Sequence, residues 1–470
     1  MRSQRFHDGG FTAIVILMTL VLSTALFAQT NHANNKPYTD IAREIVRTAL
    51  AEGQAYRMLA ELTALGPRLS GSPQAAAAVE WSRHTMAQLG FQNVRLQEVM
   101  VPHWVRGPIE EAAIINSATM GTIPLTVCAL GGSVATPEMG VVAEVVEVKS
   151  FDELKALGKK AEGKIIFFNR PMDAGKINTF EAYGGAVNQR GSGAIEAAKV
   201  GGVAALVRST TTRLDDVPHT GGMHYQDGLP KIPAAAVSTM DANLLSQLIA
   251  QEKIVRVRLK LTCQTFPDAP SANVLGELTG TEKPEEIIVV GGHLDSWDKG
   301  TGAHDDGAGC VQSLEALRLL QALKLKPKRT IRAVMFMNEE NGLRGGEAYA
   351  RAAAASKEKH IAAIEADRGG FAPRGFSVDT DSARFARLAG WAYLFKEIEA
   401  DNIFRGGSGA DISVLVRQGV PGIGLVPEAQ RYFDYHHSDN DVIAAVNERE
   451  LNLGAAALAI LCYVLAQEGL

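Results

Sequence analysis

The chain has 470 residues, which is more than one ordinary domain needs and enough for two or three. Hydrophobic residues make up 46% and charged residues 21%, so a large core is available. The formal net charge of −5 provides no polybasic surface and argues against nucleic acid as a partner.

The first 28 residues have the layout of a secretory signal peptide. Arg2 and Arg5 precede an apolar stretch over residues 11–28, and the small residues Ala25 and Ala28 offer cleavage sites. A stretch of this length is also just long enough to span a membrane, so an uncleaved anchor is the alternative. We expect export and removal of 1–28, which leaves a periplasmic or extracellular protein with no stable membrane span.

The four cysteines, Cys128, Cys263, Cys310 and Cys462, lie far apart and form no CxxC pair. This spacing argues against a cysteine zinc site. Cys310 and Cys462 lie in apolar helical patterns that are typical of core thiols. A disulfide between Cys128 and Cys263 stays open, because connectivity does not follow from spacing.

Residues 29–125 predict a scaffold that forms the N-terminal part of a catalytic domain. Residues 126–262 predict an inserted domain in which short strands alternate with helices. The strands are expected at 141–148, 163–168, 203–207 and 232–237, and the helices at 151–157, 194–200 and 241–252. His219, His224, Asp215 and Asp216 lie in one of its loops; they could bind a metal, but the Gly, Pro and Thr around them favour a solvated loop.

Residues 263–470 alternate buried strands with helices and predict the main part of an α/β catalytic domain. Strands are expected at 287–290, 329–337, 361–365 and 422–426, and helices after residue 308, at 345–355, at 381–398 and at the C-terminus. This order favours a doubly wound, mostly parallel sheet flanked by helices.

Polar residues follow the ends of these strands. His293, Asp295 and Asp305 come after the first strand, Glu339 and Glu340 after the second, and Asp367 after the third, while a later loop holds His436 and His437. The carboxyl ends of parallel strands meet at one edge of a sheet, so these side chains should converge. Each group alone would more often be a surface pair or a helix cap, but together they predict a site for two zinc-class ions.

The motifs GHLDSWDKGTGAHDDGAG, NEENG, EADRGG and YHHSDNDV resemble those of co-catalytic dizinc exopeptidases related to bacterial leucyl aminopeptidase. Within them the sequence is most similar to the carboxypeptidase Q (plasma glutamate carboxypeptidase) group, with further matches at LGPRLSGSP, VPHWVRG and SFDELKALGKKAEGKIIFFNRP. The resemblance implies a zinc-exopeptidase fold, a protease-associated domain over 126–262, two Zn²⁺ per chain and short unblocked peptides as substrates. It also suggests a homodimer.

The resemblance assigns a role to each motif residue. It gives His293 and Asp367 to one zinc, Glu340 and His437 to the other, and makes Asp305 the bridge. The family pattern places the ligand directly before Ser or Thr, which selects His437 over His436 and makes Asp306 a neighbour. Two further roles follow: Asp295 would hydrogen-bond the imidazole of His293, and Glu339 would be the general base.

The substrate ends need charged or polar partners, and the Gly-rich loop offers Ser408, Asp411 and Arg405, with Tyr432 and Tyr435 nearby in sequence. The preference for dipeptides, aminopeptidase substrates or carboxypeptidase substrates stays open at this point. One rival is an aminopeptidase of broader specificity in the same fold. The others are a non-catalytic binding protein on a peptidase scaffold, which would typically lose metal ligands, and a single-zinc acyltransferase.

Overall fold

The computed structural model describes residues 36–470, so the predicted signal peptide lies outside the described residues. Within this range the chain forms sixteen strands and twelve α-helices. The strands are β1 (Gln92–Val105), β2 (Glu110–Ser117), β3 (Gly121–Leu125), β4 (Val127–Ala129), β5 (Val141–Val148), β6 (Ile165–Phe168), β7 (Ala204–Arg208), β8 (Ala234–Val237), β9 (Arg256–Leu261), β10 (Gln264–Leu278), β11 (Lys283–His293), β12 (Arg329–Phe336), β13 (Lys359–Glu365), β14 (Pro373–Asp379), β15 (Asn402–Arg405) and β16 (Gly422–Pro427). The helices are α1 (Thr39–Glu52), α2 (Ala55–Thr63), α3 (Pro73–Gln88), α4 (Phe151–Leu157), α5 (Thr179–Ala186), α6 (Asn188–Lys199), α7 (Thr239–Gln251), α8 (Ala308–Ala322), α9 (Arg344–Ala355), α10 (Ser382–Ala389), α11 (Ser413–Arg417) and α12 (Glu448–Glu468).

The main sheet has eight strands in the order β1-β10-β12-β11-β13-β16-β14-β15. Its centre is parallel, since β11 pairs in parallel with β12 and β13, and β13 pairs in parallel with β16. The pairs β1–β10, β10–β12 and β14–β16 are antiparallel. The sheet is therefore mixed around a parallel centre, in agreement with the α/β fold that the sequence predicts.

The central strand β11 shows why these residues form a buried sheet. The side chains of Ile288 and Val290 pack into one core cluster, and those of Ile287 and Val289 pack into another. Side chains alternate between the two faces of a strand, so a continuous apolar run is what a strand with helices on both faces requires. The carboxyl end of β11 is thereby fixed in the middle of the sheet, where His293 follows.

Helix α12 is one helix in the described chain that is long and apolar enough to cross a membrane. In the fold it is a core helix: most of its side chains, from Leu451 to Ala466, are buried. It packs against α8, so its hydropathy is explained by the core of the main sheet.

The second sheet also has eight strands, in the order β3-β2-β9-β5-β6-β7-β8-β4. We call residues 110–261, which build it, the insert. The insert leaves the main sheet where β1 and β10 are neighbours, because Val105 pairs with Gln264. Strands β2 and β3 precede residue 126, and β2 pairs with β9, so the second sheet takes up more of the chain than the predicted range of 126–262.

One local prediction needs correction, and one edge of the main sheet was not predicted. The helix expected over 381–398 is broken: α10 ends at Ala389, and residues 392–398 form a 3₁₀ helix after Gly390. Strands β14 and β15 were not predicted and form the far edge of the main sheet. The four cysteines are buried and unpaired, so Cys128 and Cys263 form no disulfide in this structure.

Candidate metal centre

The five predicted metal ligands lie together at the carboxyl edge of the main sheet. His293 ends β11, Asp305 lies in the loop before α8, Glu340 follows β12, Asp367 follows β13 and His437 lies in the loop before α12. His293, Asp305 and Glu340 offer ligand atoms that are all within 4.8 Å of one another. Residues separated by 144 positions of sequence (from 293 to 437) thus converge, as the strand order predicts.

Asp305 occupies the centre of this cluster. One of its carboxylate oxygens, Oδ1, lies 3.3 Å from Nε2 of His293, and the other, Oδ2, lies 3.2 Å from Nε2 of His437. Nε2 of His293 is also 3.4 Å from Oδ1 of Asp367, and Nε2 of His437 is 3.1 Å from Oε2 of Glu340. The donors therefore form two sets, each with one imidazole and one terminal carboxylate, and Asp305 belongs to both.

The residues fit a metal of the zinc class. Nε2 of His293, Oδ2 of Asp305 and Oδ1 of Asp367 are buried and have no hydrogen-bond partner within the described chain. Buried polar atoms without partners are costly unless something binds them, and imidazole with carboxylate is a usual ligand set for zinc. The neighbouring His436 lies further from Asp305, at 3.8 Å, and its ring is stacked on that of His437.

Asp295 holds the loop that carries the two glutamates. Its carboxylate accepts hydrogen bonds from the backbone N–H groups of Asn338 (2.7 Å), Glu339 (3.1 Å) and Glu340 (3.4 Å), and from the hydroxyl of Ser70 (3.0 Å). The imidazole of His293 contacts the backbone of Asp295 instead: its Nδ1 lies 2.9 Å from the carbonyl oxygen and 3.9 Å from the carboxylate. Asp295 thus orients His293 through its main chain and Glu339 through its side chain.

The loop that carries Asp305 is fixed by two further carboxylates. Asp306 accepts hydrogen bonds from the backbone N–H groups of His293 and Gly309, each at 3.0 Å, which ties the end of β11 to the first turn of α8. Asp441 accepts from the backbone N–H groups of His304 (2.7 Å) and Asp305 (3.1 Å). These bonds determine where the Asp305 carboxylate lies.

Arg68 and Ser70, which belong to the LGPRLSGSP motif, support the same loops. The fully buried guanidinium of Arg68 donates to the carbonyl oxygens of Leu294, Thr301 and Gly302. Because Arg68 lies far in sequence from the metal ligands, no local pattern around it predicts that it binds their loops. The motif itself was the only available signal.

Glu339 directly precedes the predicted ligand Glu340 after β12, and its carboxylate forms no hydrogen bond or ion pair with another side chain among residues 36–470. Burial raises the pKa of its carboxyl well above the usual range; the imidazole of His293 opposes this, and the charges of Asp367 and Glu340 add to it. For His437, burial lowers the pKa, but the carboxylates of Glu340 and Asp305 outweigh it and raise the pKa to about 9. Positive charge is therefore favoured among these carboxylates.

The predicted binders of the substrate ends lie in different surroundings. Ser408 is buried and packs where β16 has glycines at 422 and 424. Asp411 is buried, both of its carboxylate oxygens lack a hydrogen-bond partner within the described residues, and burial raises its pKa well above the usual range. Arg405 points away, since it donates to the carbonyl of Thr380 and to the hydroxyl of Ser382.

The insert contributes residues to the site that the sequence analysis did not predict. The guanidinium of Arg190, from α6, lies with Nη1 3.3 Å from Nδ1 of His437 and with Nη2 2.7 Å from the hydroxyl of Tyr183. Nδ1 of His219 donates to the backbone carbonyl of His436 at 2.7 Å. The sequence around His219 favours a solvated loop, and this prediction is wrong for His219, because its side chain is buried.

Comparison with known proteins agrees with this geometry. The model of peptidase family M28 matches residues 273–461. Carboxypeptidase Q of Bos taurus is 38% identical over 434 residues, covering 91% of this chain and 89% of that protein. Carboxypeptidase Q of Rattus norvegicus is 39% identical, with 91% and 89% covered.

Solved structures show the same fold. The crystal structure of a peptidase M28 precursor from Shewanella amazonensis is similar with a TM-score of 0.88 at 34% identity, covering 92% of this chain and 97% of that one. The zinc aminopeptidase BSAP from Bacillus subtilis has a TM-score of 0.64 at 21% identity, covering 89% and 96%, which is a likeness of fold alone. The chain therefore belongs to the carboxypeptidase Q family within peptidase family M28, and it is a zinc metallopeptidase.

Proposed function

We propose that the chain is an exopeptidase that holds two zinc ions and hydrolyses short peptides with free ends. The observation that carries this proposal is the position of Asp305, whose two carboxylate oxygens each face a different imidazole at 3.2–3.3 Å. His293 and Asp367 would hold one ion, Glu340 and His437 the other, and Asp305 would be shared. A carboxylate shared in this way is the usual arrangement of a two-metal hydrolase.

The chemistry divides between the metal and the residue beside it. When bound, zinc supplies a Lewis acid for the scissile carbonyl and lowers the pKa of water toward neutrality. Glu339 would take the proton from the attacking water and deliver it to the leaving amine. Its position supports this role, because Asp295 fixes its backbone, burial raises the pKa of its carboxyl, and no cationic side chain within residues 36–470 is hydrogen-bonded to that carboxyl.

Arg190 supports a substrate with a free carboxylate. Its guanidinium is buried, its Nε has no hydrogen-bond partner, and it forms no ion pair with an Asp or Glu within residues 36–470. If a metal binds Nε2 of His437, the Nδ1 of that neutral imidazole carries a proton and cannot accept from Arg190. A buried cation of this kind is best satisfied by an anion, and the substrate carboxylate is the anion that the reaction supplies.

The opposite end of the substrate would be a free amine, for which the unpartnered carboxylate of Asp411 is the proposed binder, with Ser408 in the same loop. A dipeptide would supply both the free amine and the free carboxylate.

We further propose that the enzyme is exported after removal of residues 1–28, that the insert is a protease-associated domain, and that the chain forms a homodimer.

Glu339→Gln tests the mechanism. The substitution removes the base but no ligand, so we expect zinc content to stay at the wild-type level while turnover of unblocked dipeptides falls by about 10²–10⁴-fold, the contribution typical of a positioned acid–base group. Metal analysis and steady-state kinetics measure the two effects. His437→Ala is the contrasting variant and should lower the zinc content.

Near-normal turnover in Glu339→Gln would show that another residue is the base. Assays of a leucine anilide beside a panel of unblocked dipeptides separate the proposed dipeptidase from an aminopeptidase of broader specificity. Removal of the metal by a chelator should abolish activity, and return of zinc should restore it.

A further inference from the structure

Two contacts of the insert reach the residues that carry one of the two sets of metal ligands, His437 and Glu340. From these contacts we infer that His219 is a positioning residue that sets the affinity of the ion held by His437 and Glu340. The inference rests on the proposed ligand assignment and goes beyond it, because it makes the affinity of one ion, and not the other, depend on His219.

The first contact holds the loop that carries His437. Nδ1–H of His219 donates to the carbonyl oxygen of His436 at 2.7 Å, and the backbone N–H of Thr220 donates to the carbonyl oxygen of His437 at 2.9 Å. His437 has a φ of 61°, a left-handed conformation that is costly for a residue with a side chain and that persists only where neighbours hold it. The insert thus supplies two donors to the strained backbone beside the ligand.

The second contact holds Glu340. The backbone N–H of Trp297 donates to Oε1 of Glu340 at 3.1 Å, which leaves Oε2 to face His437. The indole of Trp297 is buried against Gly131 of the insert, where an added Cβ would lie only 1.8 Å from a ring carbon. Gly131 is therefore required for the tryptophan to reach the place from which it orients Glu340.

The loops of the insert that make the two contacts are bonded to each other. The backbone N–H of Gly131 donates to the carbonyl of Gly221 at 3.0 Å, and Thr220 donates through its hydroxyl to the carbonyl of Ala129 at 2.9 Å. Arg106, which precedes the insert, donates to the carbonyl oxygen of Ala129 and to the hydroxyl of Thr220, and its ion pair with Asp298 joins these loops to the loop of Trp297. The loops around Gly131 and His219 are thus held together. One contacts Trp297, which orients Glu340, and the other contacts the backbone beside His437.

The other ligand set has different supports. His293 is held by Asp306 and by the backbone of Asp295, and both of these residues belong to the main domain. Asp367 follows β13 in the middle of the main sheet. A change at His219 or Gly131 should therefore affect the affinity of the ion held by His437 and Glu340 only.

The test is the zinc content of His219→Ala and His219→Asn after dialysis against a series of buffered zinc concentrations. We expect His219→Ala to lose one of two ions at a free zinc concentration at least tenfold higher than wild type does, and to keep the other at the wild-type value. His219→Asn should restore most of the affinity, because its amide N–H can donate from about the place of the imidazole Nδ1. His224→Ala, an exposed histidine five residues further along the same loop, is the matched control and should bind as wild type does.

Circular dichroism and thermal melting show whether each variant is folded. If His219→Ala does not fold, Gly131→Ala decides, since it displaces Trp297 and should weaken the same single ion. Unchanged binding, or parallel loss of both ions, would overturn the inference. A wild-type chain that holds only one ion would instead refute the two-ion proposal itself, and the inference with it.

Discussion

At the scale of single residues, we expect Arg190 to determine which peptides the enzyme accepts. Its guanidinium reaches the metal cluster from the insert and donates to Tyr183, yet it has no carboxylate partner within the described chain. An arginine whose donors are only partly used can still donate hydrogen bonds to a carboxylate, and the Nε–H of Arg190 has no acceptor within residues 36–470. We therefore expect it to distinguish a free carboxylate from its amide.

Arg190→Met should raise the KM for an unblocked dipeptide and lower its kcat/KM by roughly 10- to 100-fold, the effect of losing a hydrogen bond to a charged group. The C-terminal amide of the same dipeptide should be hydrolysed at nearly the same rate by the variant and the wild type. Steady-state kinetics with both substrates measure this difference, and zinc analysis confirms that His437 still binds metal. Arg208→Met, a partly buried arginine of the insert that bonds Asn169 and Asn243, is the control.

An equal loss of rate on the dipeptide and on its amide would assign Arg190 to the metal centre and not to the substrate.

The contacts of Arg190 and His219 could not be predicted from the sequence. The meeting of His293, Glu340 and Asp367 could be expected because each follows a strand of the parallel centre, and the motifs added Asp305 and His437, whereas Arg190 lies 247 positions from His437 and His219 lies 217 positions from His436. Neither has a pattern around it that indicates those contacts.

At the scale of elements, the distance between the loops that carry Asp305 and Asp367 depends on how closely helix α8 approaches the end of strand β13. Gly309 lies in the first turn of α8, and a Cβ at this position would lie 1.6 Å from the carbonyl oxygen of Ala366. Its N–H also donates to Asp306. The absence of a side chain therefore lets Asp305, before the helix, and Asp367, after the strand, come within reach of His293.

Gly309→Ala should force the helix away from the strand. Overpacking of a tight core position costs roughly 1–3 kcal/mol, so we expect a lower unfolding free energy together with weaker zinc binding. Denaturant unfolding and metal analysis measure both. Gly184→Ala is the matched control: this helical glycine of α5 has open space around it, and alanine there should stabilise the helix by about 0.5–1 kcal/mol. A stable Gly309→Ala variant with normal zinc content would contradict the role of the close approach.

The elements that position the site were those that the sequence predicted best. Strands β11 and β12 are long apolar runs buried on both faces, and such runs have few alternatives. Strand β15 has four residues, none of them fully buried, and it carries no comparable signal. The amphipathic pattern over 381–398 continues past Gly390, but the α-helix ends at Ala389. Periodicity describes which face of a helix is apolar and does not reveal where the helix ends.

At the scale of the whole molecule, the fold concentrates imidazoles and carboxylates in one buried cluster, and this has a cost when no cation is present. Asp305, Glu340 and His437 are all shielded from solvent, and burial raises the pKa of the Glu340 carboxyl to about 7. Bound zinc would offset that cost, and it would do so only in the folded chain, where the ligands meet. Stability should therefore be linked to the concentration of free zinc.

We expect chelation to lower the melting temperature by several degrees and zinc, but not magnesium, to restore it, because imidazole ligands suit zinc better than magnesium. A site saturated at 1,000 times its dissociation constant adds about 4 kcal/mol to the unfolding free energy. Differential scanning calorimetry at graded free zinc measures the gain. Glu339→Gln should show the same gain, since the proposal makes Glu339 the base and not a ligand, whereas Asp305→Asn should lose most of it because both proposed ions would share that carboxylate. A melting temperature that is independent of zinc in the wild type would mean that the cluster is already stable as an ion-paired network, and the metal centre would lose its thermodynamic support.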